Sequence, residues 1–111
     1  MSALLENRKA FFDYEILEKF EAGLELRGWE VKSLKNKRGS IAGSRAIIRG
    51  GEIFLVGLDI PAYQPENAPK DFEKERTIKL LLQKKEINSL EGKLRQKGLT
   101  MVPTKLYTKN G

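Results

Sequence analysis

The chain has 111 residues, enough for one domain with a real core and too few for two. Its 40% hydrophobic and 32% charged residues are ordinary for a globular chain, and no apolar run approaches a membrane span. Cysteine and histidine are absent, which excludes disulfides, thiol nucleophiles, histidine bases and the usual structural zinc sites, and the net charge is +6.

That charge is unevenly spread. Residues 27–49 carry seven basic side chains against one acidic, and residues 70–97 carry nine against five, with acidic stretches between them. Two basic blocks point to a basic face, whose commonest partner is a phosphate backbone; a merely solvated surface is the plainer alternative. The N-terminus lacks the charged-then-apolar order of a signal peptide, so a cytoplasmic protein is expected.

Taken in order, residues 1–12 read as a flexible N-terminal arm, with Asn7, Arg8 and Lys9 next to Phe11 and Phe12: either a frayed terminus anchored by one phenylalanine, or an arm that orders on RNA with its cations on phosphate. From Asp13 to Leu26 the even positions are mostly apolar and the odd ones mostly polar, the alternation of one long strand. Gly23 would bend it. After Arg27-Gly28, residues Trp29 to Leu34 are expected to form a short helix that plugs a core with Trp29, Val31 and Leu34. Lys35 to Ser40 is a basic turn, in which Lys35, Lys37 and Arg38 are candidate phosphate contacts and Gly39 could close the helix in a left-handed conformation.

Ser44 to Ile60 is the clearest hairpin, turning at Gly50-Gly51. Its second strand is so apolar that it is expected either to be covered on both faces or to sit in a tight barrel wall. Pro61 to Pro69 holds three of the four prolines and reads as a surface loop. Ile78 to Leu82 is a short strand or a helix start. Lys84 to Lys97 is a helix with a stripe of Ile87, Leu90 and Leu94, stopped by Gly98. Leu99 to Thr108 reads as a strand, pushed toward an edge by Pro103, and Asn110-Gly111 is a turn signal with no return strand after it. The expected architecture is mainly β: one domain, a small closed or partly open β-barrel with two to three accessory helices.

No phosphate-binding glycine loop or dinucleotide fingerprint is present. The carboxylates are interleaved with cations, as in ELRGWE and EKER, like a solvated ion-pair surface. The inventory favours a binding module over an enzyme, with no catalytic residue, metal, cofactor or small-molecule substrate expected. Tyr14, Phe20, Trp29 and Phe54 sit at core-pattern positions, whereas Tyr63, Phe72 and Tyr107 are freer to stack on bases. Glu21 is an acid on the wet face of the long strand. It is either an ordinary exposed glutamate or an acceptor for base or 2′-hydroxyl groups.

The string FEAGLELRGWEVKSLK (Phe20–Lys35) resembles the signature of the SsrA-binding proteins, also called small protein B, of bacterial trans-translation. NRKAFFDYEI (Asn7–Ile16), the Gly50-Gly51 hairpin, ERTIKLLLQKKEINSL (Glu75–Leu90) and GLTMVPTKLYTKNG (Gly98–Gly111) fit the same family in order. The resemblance implies an oligonucleotide-binding (OB) type β-barrel. It also implies a protein that binds the tRNA-like domain of transfer-messenger RNA and carries it to stalled ribosomes, without catalysis of its own. Carried over by motif, the RNA-binding residues are Asn7 and Lys9 of NRKA, Glu21 of FEAGL, Lys79 and Leu81 of KLLL, and Tyr107, Lys109 and Asn110 of KLYTKNG. Leu81 could equally be plain core.

Departures from the family are Ile78 where an arginine is usual, Gln83 where Asn or His is frequent, and Phe11 where a basic residue is common. The family's further strand and basic tail after KNG are not in the sequence, which leads to the expectation of RNA binding without ribosome rescue. Two other readings stay open: a general single-stranded nucleic-acid-binding barrel, and a protein adaptor using the Ile87–Leu94 helix or an open sheet edge.

Overall fold

The computed structural model describes residues 2–62, 76–96 and 98–108. Among these, the order is β1 (Ser2–Glu6), α1 (Lys9–Asp13), β2 (Gly23–Leu24), α2 (Gly28–Lys35), β3 (Arg45–Arg49), β4 (Glu52–Val56), β5 (Ile78–Leu81), α3 (Lys84–Leu94) and β6 (Lys105–Thr108). The strands make a four-stranded antiparallel sheet, β2-β5-β4-β3, and a two-stranded antiparallel sheet of β1 and β6. The mainly-β class with three accessory helices therefore holds, but the described residues form two sheets and no closed barrel. A single bridge between Ala46 and Met101 ties β3 to the segment leading into β6.

The β3–β4 hairpin turns where the sequence places it, with Gly50 and Gly51 both at positive φ, 60° and 77°. Along β4 the faces alternate. Ile53 and Leu55 are buried in the core, while Phe54 and Val56 lie on the other face and are only partly covered. The apolar run in β4 thus has one core face, so of the two expected arrangements it is not covered on both faces, and the described residues close no barrel around it. Ile78 and Leu80 of β5 point to the same core, which also receives Leu34, Ile41, Leu58 and Ile60. In α3, Ile87 is buried and Leu90 and Leu94 pack against that core, as their spacing predicts.

The long strand expected from Asp13 does not form. Asp13 ends α1, and only Gly23–Leu24 finds a ladder, against β5. Alternation of apolar residues specifies a strand only where a neighbour supplies hydrogen bonds. Residues 15–22 have no strand partner among the described residues, and Leu17 and Phe20 are exposed despite their opposite parity. Tyr14 is exposed as well, against its core-pattern position. The same stretch is held by Lys93, whose Nζ reaches the Glu18 carboxylate at 2.7 Å.

Four smaller features also differ from expectation. Residues 2–6, expected within a loose arm, pair with β6 as β1. In α2 the covered face is Glu30, Ser33 and Leu34, at helical spacing, with Trp29 partly packed and Val31 exposed. Helix α3 ends at Leu94, and β6 begins only at Lys105, after Pro103. The left-handed residue that stops α2 is Lys37, with φ 61°, and not Gly39. Lys37 N–H donates to the Leu34 carbonyl at 2.9 Å and Arg38 N–H to the Ser33 carbonyl at 3.2 Å, the paired bonds of a Schellman stop. Gly39 is at positive φ as well, 108°, but beyond that stop, where it also serves a close approach: a Cβ there would lie 2.4 Å from the Asp59 carbonyl oxygen. The proline-rich loop beyond Ala62, with Tyr63 and Phe72, lies outside the described residues.

Candidate nucleic-acid interface

Strand pairing brings one group of the predicted residues together. Gly23 of β2 stands opposite Leu81 of β5. The glycine has no side chain, and a Cβ in its place would sit 3.4 Å from the Leu81 side chain. Leu81 therefore lies over bare backbone on the outer face, 51% exposed, and is not core. Lys79, two residues earlier, points to the same face. Glu21 is exposed two residues upstream of Gly23, where the chain reaches β2.

Lys79 carries its own counter-charge. Its ammonium is 2.9 Å from the Glu52 carboxylate. The hydrogen bond to Glu52, then the attraction of Glu52 and Glu25, raise it above lysine's ordinary value of 10.5. Both side chains are about half exposed, so solvent screens the pair and a phosphate could displace the carboxylate.

A second group gathers on the β1–β6 sheet. Tyr107 pairs with Ala3 across the two strands, and Lys37 Nζ donates to the Ala3 carbonyl, so the basic turn after α2 rests beside β1. Lys35, Lys37 and Arg38 are all exposed on that turn. Lys9 is exposed at the start of α1. Asn7, by contrast, is buried. Its side-chain amide donates to the Pro103 carbonyl and its backbone N–H to the Thr104 carbonyl, so it locks the end of the small sheet. Lys109 and Asn110 lie outside the described residues.

The sequence does not reveal the ion pair beneath this surface. Glu30, 0% exposed, receives the backbone N–H of Arg27 at 2.7 Å and two guanidinium bonds from Arg76 at 2.6 and 2.8 Å. Arg76 also donates to the carbonyls of Glu25 and Thr77. The ELRGWE and EKER strings look like solvated ion pairs, but Glu30 of the first is buried and Arg76 of the second, largely covered, is its partner. The one local clue is the glutamate at the third position of α2, which accepts the N–H before the helix as in a capping box. The cluster ties the exit of β2 and the start of α2 to the approach to β5, two residues before Lys79.

Among the described residues, no group of three or more His, Cys, Asp or Glu could hold a metal ion, and no helix is long and apolar enough to cross a membrane. The arrangement is an exposed leucine and a lysine on the outer face of β5, a carboxylate just before β2, and further cations on α1 and on the turn after α2, which can recognise a shaped polyanion.

A family model described as SmpB protein matches residues 4–111. An SsrA-binding protein of Thermosipho melanesiensis is 47% identical over 110 residues, covering 99% of this chain and 74% of the relative. SsrA-binding proteins of Synechococcus elongatus, 45% identical over 100% of the chain and 72% of the relative, and of Geobacter sulfurreducens, 48% identical over 97% and 70%, are similar in the same way. With a family match over nearly the whole chain and relatives near half identity, the chain belongs to the SmpB protein family, the family of the SsrA-binding proteins.

Proposed function

We propose that this chain is an RNA-binding protein of trans-translation. It binds the tRNA-like domain of transfer-messenger RNA, the SsrA RNA named in its relatives, and delivers it to stalled ribosomes in the bacterial cytoplasm. The RNA rests on one OB-like domain. The observation that carries the reading is the outer face of β2 and β5, where FEAGL and KLLL meet through the Gly23–Leu81 pair. There an exposed Leu81 gives an apolar contact for a sugar or base face. Glu21 accepts from base or 2′-hydroxyl donors, and Lys79 and the Lys35–Arg38 turn neutralise phosphates. No bond in the RNA is made or broken.

The test is binding of the chain to three labelled RNAs at one salt concentration: the tRNA-like domain, an elongator tRNA, and an unstructured RNA of equal length. The tRNA-like domain should bind tightest. Glu21→Ala should weaken it about tenfold, the loss expected for a charged acceptor. Equal affinity for all three RNAs, unmoved by the substitution, would leave only a basic nucleic-acid-binding surface.

A further inference from the structure

We infer that Phe12, with Phe11 beside it, is a stacking surface for an unpaired nucleobase of the bound RNA, with Arg8 and Lys9 on the flanking phosphates. The inference rests on the RNA-binding reading above and adds to it a site on a different element.

Helix α1 is inverted relative to an ordinary surface helix. Its buried residue is the small Ala10, 2% exposed, which fixes the side that faces the protein. Each residue turns the helix about 100°. Phe11 therefore points sideways and Phe12 about 200° from Ala10, away from the core. Phe12 is 90% exposed and Phe11 51%. Burying a phenylalanine stabilises a protein by roughly 1.5–3 kcal/mol, and these two forgo most of that. With Tyr14, Leu17 and Phe20 also exposed, residues 11–20 hold five of the large apolar side chains that the described surface leaves uncovered. The two adjoining open rings of α1 are the part of this stretch that offers a contact surface on one helix.

The charges around the rings indicate its partner. On a helix, residues three and four apart share a face, which puts Lys9 and Arg8 next to Phe12. Lys19 Nζ stands 5.2 Å from the centre of the Phe11 ring. The carboxylates facing this group are Glu6, which Arg8 Nε approaches at 3.4 Å with the arginine side chain 87% exposed, and Asp13, one turn after Lys9. An ion pair that open is worth little and is readily exchanged for a phosphate. An apolar protein face would cover the rings but leave three cations unused. A nucleotide matches both parts, since every base has a π-face and every linkage a negative charge. The site also adjoins the β1–β6 sheet through Asn7, so RNA crossing Tyr107 and the Lys37 turn would meet α1.

The experiment titrates the tRNA-like domain of transfer-messenger RNA into the whole chain and its Phe12→Ala, Phe12→Trp and Arg8→Ala/Lys9→Ala variants, at several salt concentrations. Phe12→Ala should weaken binding about tenfold, the loss of one stacked base, at every salt concentration. The slope of log affinity against log salt should stay that of the parent, because a neutral ring releases no counterions. Arg8→Ala/Lys9→Ala should instead flatten that slope. Phe12→Trp should keep the affinity, and its added fluorescence over that of Trp29 should be quenched as RNA binds. Melting temperatures should not change. If the parent binds and Phe12→Ala binds within about twofold of it, or if Trp at position 12 is not quenched at saturation, the stacking site is wrong and the RNA-binding reading stands. A change in self-association of Phe12→Ala with unaltered RNA affinity would assign the rings to a second copy of the chain and also overturns the site. Failure of the parent to bind any RNA sinks both readings.

Discussion

The Glu30 carboxylate holds three donors at once, from Arg27 N–H and from two nitrogens of Arg76, with no water contact. Removing one partner of a buried pair costs more than the pair contributes, because the other charge stays behind without compensation. Glu30→Gln should therefore destabilise the protein by about 3 kcal/mol, read as a lower urea midpoint at unchanged slope. Lys37 makes a different case. It occupies the left-handed position of the α2 stop, where a side chain costs roughly 1 kcal/mol relative to glycine. Lys37→Gly and Lys37→Ala both lose the bond to Ala3, so the comparison isolates the backbone, and the glycine variant should be the more stable by about 1 kcal/mol in thermal or chemical denaturation. At this scale the sequence is least informative. Neither the burial of Glu30 nor the exposure of Phe12 follows from residue type, since both depend on which face the neighbouring chain covers.

At the scale of the element, reading succeeded where a local signal and a tertiary partner agree. The Gly50-Gly51 turn needs only its own residues and the two strands it joins. The stripe Ile87, Leu90, Leu94 marks the face of α3 that packs. The alternation from Asp13 to Leu26 is equally regular and misleads, because a strand is completed by a neighbour that the sequence does not name. Only Gly23–Leu24, opposite β5, received one. The family signature fared better than the periodicity over the same residues, since it is read as a string and not through its secondary structure. Helix α3 also carries a prediction. Gly92 sits inside it, exposed, and a Cβ at that position would meet nothing within 4 Å. Gly92→Ala should stabilise the protein by up to about 1 kcal/mol, seen as a higher melting temperature with RNA affinity unchanged.

For the molecule as a whole, the sequence makes the class and the basic character legible, and leaves the division into two sheets hidden. That division turns on single long-range contacts, the Ala46–Met101 bridge and the Asn7 bonds to Pro103 and Thr104, which leave no periodic trace. The pairing of β1 with β6 has a consequence for how the protein is made. Asn7 and Pro103 are 96 residues apart. A ribosome adding about 5–20 residues per second needs on the order of ten seconds to synthesise what separates them. Through that interval β1 waits without its ladder while the β3–β4 hairpin, whose strands are neighbours in sequence, is free to form as soon as it emerges. The first strand to leave the ribosome is thus among the last to be paired, and the small sheet is sealed only when synthesis has passed Thr108.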